Sequence, residues 1–198
     1  MFTHGRESGF TILETLFVVA LIGVISAIAV PQLTNSLAYF RLSGDARSVS
    51  NGIAVTKMRA ASNFSKTRLY VSLTGKWHRV ETADSSTPPH WTTEGGQTYL
   101  SSNSSFGFSP VTTAPPNTQG TINQAVACKD NTGADIANTA CIIFNSRGVP
   151  IDSLGSSTND GAVYVTDGSA VYGVTVAATG MIRVWKTLPT GTPNWMRQ

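Results

Sequence analysis

The sequence predicts an α+β protein. One long amino-terminal helix, apolar in its first half and amphipathic in its second, is laid against an antiparallel β-sheet or two small sheets. Three observations predict this. Phe10 to Val30 is an apolar run of 21 residues with one formal charge, Glu14. Beyond Pro31, apolar residues recur mostly three and four apart, at Leu33, Leu37, Phe40, Val49 and Ile53 with Ala46 between. From Ala140 to Lys186, short runs rich in β-branched and aromatic residues alternate with tight-turn signals.

The apolar run, as a helix, is about 32 Å long, enough to cross a hydrocarbon core of ~30 Å. A secretory signal has a shorter apolar region ending in a small-residue cleavage site. Glu14 must be paired or neutralised in an apolar phase. The run holds no other charge, so its partner has to come from outside. Pro31 would break or kink a soluble helix but is better tolerated in a membrane helix. Gly44 and Gly52 weaken the helix locally. One helix is expected from Phe10 to Ala61.

After the helix, Lys66 to Glu81 reads as a hairpin turning at Thr74-Gly75. Trp77 and Val80 fall on opposite faces, which allows a bulge. Ala83 to Gln124 is rich in Pro, Gly and Ser and reads mainly as loop, either partner-facing or a solvated insertion, with strands near Gln97–Leu100 and Phe106–Phe108. Cys141–Phe144, Ala162–Thr166, Val171–Val176 and Met181–Trp185 read as strands, with Asp167-Gly168 as a hairpin turn. Thr187 to Gln198 is either a tail or a strap across the sheet.

Of the 198 residues 41% are hydrophobic and only 13% charged. Much of the remainder is Ser, Thr, Gly and Asn, as in a β-rich extracytoplasmic module. The net charge of +3 does not by itself point to nucleic acid. Arg41, Arg47, Lys57 and Arg59 follow the apolar run against Asp45, so the positive-inside rule does not place the amino terminus in the cytoplasm. Cys128 and Cys141 suit a disulfide if the domain is exported, closing a loop of roughly 14 residues. Two buried free thiols or half of a metal site are the alternatives, and no second Cys or His cluster completes a zinc site. No catalytic or phosphate-binding motif is present, so neither enzymatic activity nor a cofactor or metal is expected. Asp130, Asp135, Asp152, Asp160 and Asp167 stand in turn-like contexts that suit capping.

Gly9, Phe10, Thr11 and Glu14, followed by Gly23 and Pro31, resemble the class III leader of type IV pilins and type II secretion pseudopilins. The leader is less basic than is usual there. The resemblance implies a pilin fold with a leader at 1–9, a transmembrane half-helix at 10–30, an amphipathic half-helix at 31–62 and an extracytoplasmic β-rich domain at 63–198. It implies that a prepilin peptidase cuts between Gly9 and Phe10 and methylates the Phe10 amine. It also implies that Glu14 pairs with the amino terminus of a neighbouring subunit during assembly. The protein would be single-pass in the inner (cytoplasmic) membrane, its partners other major and minor pilins or pseudopilins.

A second block, Phe144 to Pro150 and Val174 to Trp185, looks like the closing strands of the FimT/GspH group of minor pilins and pseudopilins. With the leader it covers about half the chain; residues 62–139 align with nothing by eye. This implies a minor subunit that initiates or caps a type IV pilus, or alternatively a minor subunit of a secretion pseudopilus. A reading of another class is a DNA receptor. Some FimT-type proteins bind DNA through a G-R-x-R motif. Here the stretch is Gly180-Met181-Ile182-Arg183, with methionine at the first arginine. Arg183, Lys186 and Arg197 are the candidate phosphate contacts, and Trp185 or Trp195 a stacking face. Packing on the sheet is the favoured reading of Trp185.

Overall fold

A computed structural model describes residues 11–198. The described residues form one α-helix and ten β-strands. The chain divides into two compact units, residues up to Phe40 and Arg41–Gln198. Helix α1, Ile12–Ser62, contributes to both and runs on through Pro31. The expected start at Phe10 lies outside the described residues.

In the first unit the apolar side chains of α1 are exposed, and this stretch is long and apolar enough to cross a membrane. In the second unit α1 buries Leu42, Ala46, Val49, Ile53 and Ala60, spaced four, three, four and seven apart, which keeps them on one face. The buried stripe therefore starts at Leu42. Leu33, Leu37 and Phe40, expected in the same stripe, are exposed residues of the first unit. Periodicity alone runs through the boundary because both segments have apolar residues at helical spacing.

The strands are β1 (Thr67–Ser72), β2 (Trp77–Ala83), β3 (Trp91–Tyr99), β4 (Ser105–Phe106), β5 (Thr139–Phe144), β6 (Pro150–Ile151), β7 (Gly161–Thr166), β8 (Val171–Val176), β9 (Ile182–Thr187) and β10 (Met196–Arg197). They form two five-stranded sheets, ordered β3-β2-β1-β5-β6 and β10-β9-β8-β7-β4. Every pairing is antiparallel. The β1–β2 hairpin has the expected turn, with Lys76 at φ 56°.

The expected strand at Gln97–Leu100 is the end of a longer one. His78 pairs with Thr98 but Val80 pairs with Glu94, so Gly95, Gly96 and Gln97 face Arg79 alone. The two glycines are a bulge within a strand, with Gly95 at φ 77°. The tail is a strap: Met196 pairs with Lys186 and Arg197 with Trp185.

One core lies between the α1 stripe and the inner faces of both sheets, including Leu69 and Val71 of β1, Ile142 and Phe144 of β5, Val163 of β7 and Val174 of β8. The outer faces are covered as well. The segment carrying Phe108, Val111 and Ile122, with Trp195, covers Ala162, Tyr164 and Val171. This corrects the reading of 83–124 as a solvated insertion, because its carboxy-terminal part buries apolar side chains against the second sheet. A disulfide joins Cys128 to Cys141 with Cα atoms 5.0 Å apart and packs with Ile143 and Ile151 over the first sheet.

Between the sheets runs Gln124–Cys128, extended but not a strand. Ala125 N–H donates to the Ala162 carbonyl at 2.7 Å, and Cys141 N–H to the Val126 carbonyl at 2.8 Å. The Gln124 amide side chain donates to the Tyr164 carbonyl and accepts from its N–H, at 3.0 and 2.9 Å. A side chain there replaces a missing backbone partner, so both sheets stay satisfied where they separate.

Candidate functional site

The first candidate site is the start of α1. Thr11 precedes the first helical residue, and its Oγ1 accepts from the Glu14 N–H at 3.2 Å. Thr-x-x-Glu is the spacing of a capping box, and Glu14 sits in the first turn, where a carboxylate complements the helix dipole. Sequence reasoning gave Glu14 an external partner only; the structure adds this local role. Gly9 and Phe10, the expected cleavage and methylation positions, lie outside the described residues.

The second candidate site is β9 with the strap beside it. Successive residues of a strand point to opposite faces. Arg183 stands opposite Thr175, and Trp185 donates its indole N–H to Thr175 Oγ1 at 3.0 Å. Arg183, Trp185 and Thr175 thus share the outer face of the second sheet. Arg197 is directly opposite Trp185 and joins them there. Lys186 is on the other face, with its ammonium 5.9 Å from the centroid of the Tyr172 ring. The structure brings together Arg183 and Arg197 and sets Lys186 apart.

The two tryptophans are not open stacking faces. Trp185 is buried on the sheet. Trp195 is half-buried; its indole N–H donates to the Thr113 carbonyl at 2.9 Å, and its ring lies 6.0 Å from that of Tyr164. A period-two count along β9 would have separated Lys186 from Arg183; the pairing of the strap had no sequence signal.

The glycines of the second resembling block have a structural explanation. Gly148 and Gly180 have φ of 72° and 76°. A Cβ on Gly180 would lie 2.7 Å from the Gly148 carbonyl oxygen and 3.0 Å from Lys57 Nζ. The turn after β5 and the turn before β9 therefore meet beside Lys57 of α1. Both positions need a residue that tolerates positive φ, and Gly180 also needs one without a side chain.

Two buried polar clusters escaped sequence reasoning. On the outer face of the first sheet, Glu81 accepts from Arg68 Nε and Arg79 Nε, both at 2.7 Å. Arg68 also donates to the Lys129 carbonyl at 2.6 Å and lies 4.0 Å from the centroid of Trp91. Burial draws the Arg68 guanidinium below its ordinary pKa, against the opposing pull of Glu81. On the inner face, His78 is buried beneath Gly52 of α1. Burial lowers its pKa, while Asp45 and the backbone of Ser48 act in the opposite sense. Asp45 accepts from the N–H and hydroxyl of Ser101 at 3.1 and 3.0 Å.

Several of the scattered aspartates cap turns. Asp130 Oδ1 accepts from the Thr132 and Ala134 N–H groups, Asp152 Oδ1 from Leu154 and Ser156, and Asp167 Oδ1 from Ser169. Among the described residues no three His, Cys, Asp or Glu side chains converge as metal ligands.

No protein-family model and no curated protein matches the chain. Among solved structures it is similar to the minor pseudopilin EpsH from the type 2 secretion system of Vibrio cholerae. The identity is 10% and the TM-score 0.43, over 73% of this chain and 95% of that one.

Proposed function

We propose that this chain is a minor subunit of a type IV pilus, which helps to initiate or cap the filament and remains anchored in the inner membrane until it is incorporated. One observation carries the reading. The exposed apolar run of α1, long enough to cross a membrane, has its single carboxylate, Glu14, in the first turn, and α1 continues into the core of a β-rich domain. A carboxylate in hydrocarbon is costly and normally has a task. Pairing with the amino terminus of an adjacent subunit, exposed by cleavage after Gly9, would supply the missing charge. The Gly148–Gly180 junction gives a structural reason for the glycines of the block that resembles FimT/GspH proteins.

The test is the state of the amino terminus in cells with and without an active prepilin peptidase. Mass spectrometry should find a chain beginning at N-methylated Phe10 only when the peptidase is active. Glu14→Leu should still insert in the membrane and should lose filament incorporation. Normal incorporation of that variant would defeat the proposal. Deletion of the gene should abolish piliation; loss of protein secretion with intact pili would move the subunit to the pseudopilus. The DNA-receptor reading is not adopted, because strand parity divides its three cations between two faces of β9.

A further inference from the structure

Arg183 is short of a partner. Its Nε–H is buried and donates to no acceptor among the described residues, and none of the ion pairs among them includes it. Arginine stays charged in proteins, and a buried donor left unsatisfied costs about 1–3 kcal/mol, more when charged. The same side chain borders a pocket of about 270 Å³ on the outer face of the second sheet.

The rest of the wall is rich in neutral polar groups. Asn117, Thr118, Asn159, Thr175 and Thr179 line it, beside a short apolar stretch beginning at Val176. Among the described residues no acidic one lines it. Thr175 Oγ1 already accepts from the Trp185 indole, which leaves its own hydroxyl hydrogen available to donate. The described lining thus offers one cation without an ion-pair partner, several donors and no competing carboxylate.

We propose that this pocket is a carboxylate-binding site, with Arg183 as its cation and Asn117, Asn159 and Thr175 as its neutral donors. A guanidinium fork matches the two oxygens of a carboxylate, and a single positive charge balances a single negative one. A phosphate monoester carries about −1.5 to −2 and would be under-compensated. A nucleic-acid backbone needs a track of cations, whereas Lys186 faces the other side of β9. The carboxylate is carried by a small free acid or by an acidic side chain of a protein partner. The inference does not depend on the filament reading.

The experiment uses the full chain in detergent micelles, labelled with nitrogen-15, at neutral pH. The reporters are the Arg183 Nε–H signal and the Trp185 indole signal, which senses the pocket through Thr175. The probes are acetate, N-acetylglutamate amide, N-acetylglutamine amide, inorganic phosphate and a single-stranded oligonucleotide. Both signals should move together and saturate with acetate and the glutamate probe, and stay still with the glutamine probe. Arg183→Gln should abolish the response, and Arg183→Lys, which keeps the charge and loses the fork, should weaken it by about 10-fold. Arg197→Gln, on the same face but outside the pocket lining, should leave it unchanged. Tighter binding of the glutamate probe than of acetate assigns the site to a side chain; equal or weaker binding assigns it to a small acid. The proposal is overturned if neither carboxylate saturates by about 50 mM, where any Kd would be too weak for a built site. It is also overturned if phosphate or the oligonucleotide saturates the same signals about 10-fold more tightly, or if a folded Arg183→Lys variant binds as wild type does.

Discussion

Lys57 and Gly180 are 123 residues apart in sequence, and the Lys57 ammonium donates to the Gly180 carbonyl at 2.9 Å. The bond fixes α1 to the turn that leads into β9. It forms where the Gly148 carbonyl also approaches Gly180, so three separate parts of the chain share one small volume. Gly180→Ala must place a methyl group within 2.7 Å of that carbonyl oxygen while holding φ at 76°. A loss of about 2–3 kcal/mol is expected in urea unfolding. Lys57→Met keeps the stem against Gly148 and loses the bond, and should cost about 1–2 kcal/mol.

Glu81 is the shared acceptor of Arg68 and Arg79, and both Glu81 and Arg68 are 3% exposed at the side chain. Glu81→Leu strands a buried guanidinium and should destabilise the domain by about 3–5 kcal/mol. Adding Arg68→Met to it removes the stranded charge and should restore much of the loss. Denaturant titration of the two single variants and the double variant measures this; additive losses would contradict it.

His78 gives the domain a pH dependence of defined sign. Burial lowers its pKa in the folded protein, so below the ordinary histidine value of about 6.5 the unfolded chain binds the proton more readily. Its contribution is fully present above that value. It is lost as pH falls from there toward the lowered pKa, with a slope of up to about 1.4 kcal/mol per pH unit. Asp45 faces the same site and carries the counteracting charge. Urea unfolding at several pH values between 5 and 8 should show the slope, and His78→Gln should flatten it.

The Cys128–Cys141 disulfide closes a loop with a sequence separation of 13. The chain-entropy model gives it about 3 kcal/mol. Unfolding in the presence and absence of reductant should differ by up to that amount. A Cys128→Ala, Cys141→Ala variant should match the reduced protein.

Much of this fold was legible in the sequence. The long helix, the β1–β2 hairpin and the strands β7 to β9 have local signals: helical spacing, Thr-Gly and Asp-Gly turns, and runs of Val, Ile and Tyr. The first half of β3 was not legible, because Gly95-Gly96 is punctuation in a local reading and a bulge only when β2 is alongside. The packing of Phe108–Ile122 was hidden because its few apolar residues follow no fixed period; they meet Tyr164 through a non-repetitive path. The strap was illegible for a related reason, since two residues paired to β9 leave no pattern. Of the candidate sites, the residues themselves were visible but their grouping was not. Arg183 was named for its charge, yet its surroundings come from positions 117, 118, 159 and 175, which only the topology assembles.

The stitching of the two sheets by Gln124–Cys128 bears on how the second unit responds to load. The α1 stripe is embedded in a core to which both sheets contribute, Lys57 holds the Gly180 turn, and the connecting segment is bonded to β5 on one side and β7 on the other. Tension drawn through the helix therefore divides between the sheets before either can peel away. Under a steady pull the unit should rupture as one body, with a single force peak and no intermediate in which one sheet survives.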